Sequence, residues 1–582
     1  MNSKLCTALL SVFSLMAPIE AQWSADPSVN QAIAAETHTE DQPKIVATSD
    51  GGFFVSYYAS DPAGMPAFGF DVRLQRLDAT GAPLFSPAVL VADRGFSSTQ
   101  DYGLAVNANN EAFVIFRDDR PGGTQITAAK VDGTGALVWG ALGVQLTATT
   151  AFVASPRIAA TPDGGAICAW GQDADTRVQK LDSTGTPVWG PDLVLSDGSA
   201  NVSLSDMHPD GAGGALISCI LSTTFSAPRH LELRRASSAG MEMWRTSVFD
   251  GGSLQLGNFP DFVPDGSGGA AMAWYSSSPA LECYGQHIAS DGSESFPHNG
   301  VSASTNGALL RVSPSVVYAA ATSELAIFYT ETSGSQSMDG VSGQKFDATG
   351  NRLWGAGGTT LQAMSLTSLT GVSAVGTANE ICVAWVDGPS FGNDQIFAAQ
   401  VDGADATVVG PMSIASQTSV KFRLGGALGC IGYGGFVWRD ERAGNPDIYV
   451  QNLGDGGVLG PIGNPGVVTR NGSGVNPNVF AQTSPAVIGT PWTATVGLGG
   501  APFSAILISQ GGPNPGLPTM IGELLCNGPF LAPNVSTGSH SMGLPLTCAL
   551  VGRTFCMQAV QVTITPSSVQ LTNALDVTIG AF

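Results

Sequence analysis

Carboxylates that follow short apolar runs are the residues of this chain best placed to do chemistry. "FRDDRP" puts Asp118 and Asp119 after one such run, and "VWRDER" puts Asp440 and Glu441 after another; Asp61, Asp173, Glu331 and Asp387 stand in comparable places. Two carboxyl groups from different segments, one protonated and one ionised, are what hydrolysis of a glycosidic bond needs, and spacing in sequence does not exclude their meeting in space. Arginines flank both pairs, Arg117 and Arg120 at one, Arg439 and Arg442 at the other. A solvated ion pair that shapes a loop is therefore the ordinary explanation of the same residues.

Other chemistries lack their patterns. The six histidines (His38, His208, His230, His287, His298, His540) form no H-x-x-x-H or H-E-x-x-H pair, and there is no G-x-S-x-G elbow and no phosphate-cradling loop. No cysteines show C-x-x-C spacing, which removes the common zinc and redox signatures. No cofactor is identified. "HPDGAGG" (208–214) and "VPDGSGG" (263–269) lack the alternating ligands of an EF-hand and read as Pro-Asp-Gly turns, so calcium is left open without a site. Asn201, Asn471 and Asn534 lie in N-x-S sequons.

A repeat must position whatever does act. Aligned on a turn glycine, the chain gives "LDATGAPLF" (Gly81), "VDGTGALVW" (Gly135), "LDSTGTPVW" (Gly185), "ASSAGMEMW" (Gly240), "IASDGSESF" (Gly292) and "FDATGNRLW" (Gly350). Weaker copies surround Ala406 and Gly457. Six residues before the aligned position stands a glutamine in most copies: Gln75, Gln179, Gln286, Gln344, Gln400 and Gln451, with Ala129 and Arg234 in the other two slots. Four residues after it stand Trp139, Trp189, Trp244 and Trp354.

Asp before Gly suits a tight turn, because Gly accepts positive φ and the Asp side chain can bond the turn backbone. The tryptophan offers a flat surface to seal one unit against the next, and a mid-strand glutamine, costly if buried alone, is expected to bond neighbouring backbone. A ring of ligand-contacting glutamines is the functional alternative. Four short strands in about fifty residues match one propeller blade. The expected fold is all-β: a large β-propeller of eight blades, or seven if the weak unit near Ala406 is an insertion, then a small C-terminal β-sandwich.

The expected boundaries are a signal peptide over 1–21, an N-terminal segment over 22–39, propeller repeats over 40–463, a Gly-, Pro- and Asn-rich linker over 464–478 and the sandwich over 479–582. Lys4, the apolar run from Leu5 to Ala17 and the small residue Ala21 give the order of a secretory signal. No later run is long enough for a membrane-spanning helix. In an oxidising compartment one disulfide is plausible among Cys526, Cys548 and Cys556, with 548–556 or 526–548 favoured, while Cys168, Cys219, Cys283, Cys382 and Cys430 read as small buried hydrophobes.

The net charge of −22, from 24 Lys and Arg against 46 Asp and Glu, argues against nucleic acid, whose binders must cluster cations to displace counterions. "FVWRDERAGNPDIYVQNLGDGG" (436–457) resembles repeats of secreted bacterial propeller proteins, and "FRDDRPGGTQITAAKVDGTGALVW" (116–139) is a second match. That resemblance spans about residues 40–463 and implies architecture, not activity. The tail, from "LTCALVGRTFCMQAVQV" to the end, is similar to a C-terminal surface or sorting module of secreted bacterial proteins. The D-x-T-G-x-x-x-W turn also resembles blades of quinone-dependent dehydrogenases, but no matching metal and quinone clamp is identifiable. The function expected is a secreted or cell-surface, non-catalytic binding protein for a polysaccharide or an extracellular protein. The alternatives are a secreted carbohydrate-active hydrolase using the loop carboxylates, and a structural component of an outer layer.

Overall fold

The computed structural model describes residues 23–35, 38–61, 69–95, 101–256, 260–376, 380–429, 433–460, 463–531, 533–545, 550–564 and 567–580. The expected signal peptide and Cys430 and Cys548 lie outside them.

Alternating buried and part-buried residues, cut by Gly turns, fold locally into antiparallel sheets of short strands. In the first sheet Glu40–Ala47, Phe53–Asp61, Gly69–Leu77 and Val89–Ala92 pair in chain order. Six sheets of similar plan follow, and an eighth is built on Lys421–Leu428, Gly434–Asp440 and Asp447–Leu453. The first strand of each sheet, or in the fifth sheet Asp261–Pro264, packs against its counterpart in the next, and that of the eighth packs against that of the first. The result is a β-propeller with its first strands around the axis.

The eighth sheet takes its outer strand from the other end of the chain: Gln31–Ala34 pairs with Asp447–Leu453. This strand lies in the segment 22–39 that was expected to precede the propeller, and it belongs to the propeller instead. Its signal was too short to read, four residues with no repeat mark.

The repeat marks explain how neighbouring sheets seal. Asp182 Oδ1 accepts from Thr184 N, Thr184 Oγ1 and Thr186 N at 2.8, 2.6 and 3.0 Å, closing the turn in which Gly185 has φ +87°. That glycine is required twice over, because a Cβ there would also lie 3.0 Å from the ring of Trp139 in the preceding unit. Trp139 Nε1 donates to Ser183 O at 3.1 Å, and Trp189 makes the same bond to Ser238 O. Each aromatic thus lies on the glycine of the next turn.

Trp354 breaks the series. The position its partner glycine would hold is Ala406, in the left-handed region at φ +64°, and Trp354 Nε1 is buried without a hydrogen-bond partner among the described residues. Weakness of this copy in sequence corresponds to a lost contact in space.

The glutamines bond backbone. Gln179 Nε2 donates to Trp189 O at 2.9 Å while its Oε1 accepts from Trp189 N at 3.1 Å, and Gln75 brackets Phe85 in the same way. Gln286 holds Phe296, and Gln344 receives Trp354 N and donates to Gly355 O at 2.8 Å. Gln344→Leu would leave these buried groups unsatisfied and is expected to cost about 2 kcal/mol, since an orphaned buried group alone costs about 1–3 kcal/mol. A chemical melt with an unchanged midpoint would remove this role.

The C-terminal region forms a five-stranded and a three-stranded sheet over a core that includes Trp492, Ile506 and Leu575, with a two-stranded ribbon of Pro513–Thr519 and Gly522–Cys526 beside them. Its first strand, Gly466–Arg470, pairs with Ser567–Thr578, so the segment expected as a linker carries an edge strand. The disulfide joins Cys526 to Cys556, correcting the favoured pairings. It ties Gly522–Cys526 to Thr554–Ile564, a pairing set by strands that sequence spacing does not bring together. Cys168, Cys219, Cys283 and Cys382 are buried and take part in no disulfide among the described residues. No helix among the described residues is long and apolar enough to cross a membrane.

Candidate functional site: the mouth of the axial channel

Eight register-equivalent residues line the ring of first strands: Lys44, Gly103, Arg157, Asp206, Asp261, Ser315, Ser373 and Gly425 each pair with the fourth residue of an apolar run in the second strand. A β-bulge precedes this position in the strands bearing Lys44, Arg157, Asp206, Ser315, Ser373 and Gly425. Bulges bend a strand and re-aim its side chains, here at the mouth of the channel. Gln42, Ser155, Ser313 and Arg423 take left-handed φ values of 54°, 49°, 53° and 58° in these bulges. Recurrence around the ring makes the bulge architectural. What varies is the side chain it presents.

On one side of the ring the presented groups are charged and joined. Asp101 binds Lys44 Nζ at 2.9 Å and Arg157 at 2.5 Å; Arg157 reaches on to Asp206 at 3.2 Å, and Asp206 lies 3.5 Å from His208 Nε2. Lys44 Nζ also stands 5.2 Å from the centre of the Tyr102 ring, and His208 meets Phe262 edge-on at 4.7 Å. Burial opposes ionisation of Asp101, but Lys44 and Arg157 outweigh it and bring its pKa to about 2. Asp206 is likewise lowered by His208 and Arg157 against burial, and His208 is raised, Asp206 outweighing the burial that would lower it. Asp261 is raised by burial, although Val316 N and Ser315 Oγ donate to it at 2.9 and 3.0 Å.

These groups open on a cavity of about 770 Å³ walled by the first strands of five sheets, the eighth and the first four. Lys44, Asp101, Asp206 and His208 keep 31–35% of their side chains exposed to it. A concave, pre-formed site with a few convergent polar groups is the usual form of a ligand pocket. Its chemistry is hydrogen bonding in both directions at fixed positions. Among the described residues no group of three or more His, Cys, Asp or Glu side chains could hold a metal ion.

The loop carboxylates lie elsewhere. Asp118 and Asp440 end second strands, which antiparallel pairing brings to the face where first strands begin, but none of the seven candidates whose side chains are described lines the cavity. Asp118 is buried and bound by Arg120 at 2.9 and 2.8 Å, and Asp119 accepts from Gly95 N at 2.9 Å. Asp440 is fully buried among Lys421, Ser419, Trp438 and Arg442, while Glu441 takes Arg439 at 2.6 Å. Glu331 receives Arg311 at 3.0 Å and Ser342 at 2.8 Å, and Asp173 accepts from Phe152 N at 3.2 Å. Asp387 is raised in pKa by burial and Asp394; the Asp61 side chain is outside the described residues.

Behind Asp440, Asp447 has no exposed surface, and burial with the Asp440 charge pushes its pKa up to about 6. The fold holds that proton to about pH 6 and the unfolded chain only to about 3.8. Unfolding between these values releases a proton, so stability falls as pH rises through the window and the loss is complete above it. Asp447→Asn is expected to stabilise the protein at pH 8 by on the order of 1–2 kcal/mol and to have little effect at pH 4. Equal melting shifts at both pH values would contradict this assignment.

In the C-terminal region His540 bonds Ser504 Oγ and Asn534 Oδ1, each at 2.8 Å. This Ser-His-Asn line is internal, since Ser504 and His540 are buried, and it engages the side chain of one sequon asparagine.

Sequence reasoning missed the channel residues because the repeat was aligned on its turns. The usable signal was the bulge itself, "QPK" at 42–44, "SPR" at 155–157 and "SPS" at 313–315.

No family model matches the chain and no curated protein matches it. Among solved structures it is similar to the polysaccharide lyase Uly1, with 13% identity over 75% of this chain and 94% of that one and a TM-score of 0.36. It is similar to the BP39L lectin from Burkholderia pseudomallei, with 13% identity over 66% and 99% and a TM-score of 0.39. The propeller domain of the Trilobed protease from Pyrococcus furiosus matches with 7% identity over 64% and 97% and a TM-score of 0.35. At these values no ligand or activity carries over. Strand order and the closed ring of inner strands identify the fold as a β-propeller followed by C-terminal antiparallel sheets.

Proposed function

We propose that the protein is a secreted or cell-surface binding protein that takes a saccharide chain at the mouth of the propeller channel. The observation that carries this reading is the convergence of half-exposed Lys44, Asp101, Asp206 and His208 on one cavity. Fixed donors and acceptors around a cavity of this size suit a ligand rich in hydroxyl groups, and the ion pairs hold the side chains in place before the ligand arrives.

The test is binding of the purified chain to a broad glycan array, with and without chelator, followed by mass analysis of retained glycans. Binding with unchanged mass, weakened by Asp206→Asn, is expected. Shortened glycans would establish a hydrolase instead, and binding indifferent to the channel residues would move the site elsewhere.

A further inference from the structure

Resting on the saccharide reading, we propose that the channel mouth selects oxyanionic saccharides, with the Arg423 guanidinium taking the carboxylate or sulfate. The chain carries a net charge of −22, yet the cavity reverses this sign locally. Its walls hold Lys44, Arg157, Arg423 and His208 against Asp101 and Asp206. Both aspartates are already engaged: Asp101 by Lys44 and Arg157, Asp206 by Arg157 and His208. Asp261, the next carboxylate around the ring, is turned to Val316 N and Ser315 on the sixth sheet.

Arg423 is different. It is exposed, lines the cavity, and has no hydrogen-bond or ion-pair partner among the described residues. Its backbone sits at φ 58° in the bulge between Phe422 and Gly425, a conformation that costs a non-glycine residue about 1–2 kcal/mol and that glycine would take more cheaply. Beside it, Gly425 leaves open space, since a Cβ there would meet only Val437, at 3.9 Å. A planar guanidinium with free donors over vacant space fits an oxyanion in a two-pronged geometry.

The experiment titrates the full chain with three probes of matched length: oligogalacturonate, a sulfated galactan oligomer and a neutral galactan oligomer. One or both anionic probes are expected to bind at least about tenfold tighter than the neutral one, in line with a charge-assisted contact. Which of them does so identifies the oxyanion. Arg423→Gln should abolish that preference, and Arg423→Gly, which relieves the left-handed backbone, should abolish it with no loss of thermal stability. Neutral and anionic probes binding equally, unaffected by either variant, would overturn the oxyanion selection and leave the saccharide site standing. No binding of any probe would overturn both.

Discussion

Replacing Trp23 by alanine is expected to destabilise the propeller by about 3–5 kcal/mol, the range for truncating a buried aromatic. Trp23 is 2% exposed, and its Nε1 donates to Ala79 O at 3.0 Å while its backbone N donates to Thr80 O at 2.7 Å. Its ring lies where a Cβ on Gly81 would come within 2.6 Å, and it meets Phe53 edge-on at 6.0 Å. This is the contact that Trp139, Trp189 and Trp244 make with the following turn. The eighth unit has no such aromatic of its own, and Gln451 Nε2 donates instead to Ser24 O at 3.1 Å, as Gln179 donates to Trp189 O. Trp23 is therefore the aromatic of the eighth unit, supplied from the N-terminal side. Together with Gln31–Ala34 it fastens the last sheet to the first. The loss should appear as a lower melting temperature and as faster amide exchange in Asp447–Leu453 and Glu40–Ala47. Exchange unchanged at this seam, with faster exchange elsewhere, would refute the closing role.

The legibility of this fold followed the periodicity of its parts. Turn, glutamine and tryptophan recur at a fixed offset, so the sheets between them could be read as blades, and the bond from Gln179 to Trp189 gives the reason for the offset. A closing strand occurs once and has no period. Gln31–Ala34 reads as four ordinary residues until its partner, more than four hundred residues later, is known. Trp23 was hidden in the same way, although it performs a repeat function. The edge strand Gly466–Arg470 was masked by the Gly, Pro and Asn around it, which are turn formers by local preference and say nothing of a distant partner.

The site was legible only in reverse. A binding site on a repeat fold is where copies cease to be alike, and an alignment built on likeness passes over it. Lys44, Arg157 and Asp206 hold one structural position with three different chemistries. Asp118 and Asp440 drew attention because acidic pairs beside arginines are conspicuous in sequence. In space those same arginines satisfy them.

Asp440→Ala should test that distinction most sharply. Lys421 Nζ and Asp440 Oδ2 are 2.9 Å apart with both side chains wholly buried, and Arg442, Ser419 and Trp438 also bond this carboxylate. Removing one partner of a buried pair strands the other charge, and the expected loss is about 3–5 kcal/mol. Burial raises the Asp440 pKa, but Arg442 and Lys421 outweigh it and set it near 2, below the ordinary 3.8. Its contribution is thus complete above about pH 4 and is lost as pH falls through about 2, so the deficit of the variant should shrink in acid. Lys421→Met with Asp440→Leu should recover much of the stability, because an apolar pair of similar volume has no desolvation cost to offset. A catalytic carboxylate behaves in the opposite manner: its removal leaves folding intact and abolishes turnover. If Asp440→Ala melts like the parent while glycan cleavage disappears, Asp440 is catalytic; if it melts early and glycan binding survives in the folded fraction, the acidic loops are the frame of the propeller and the channel is its site.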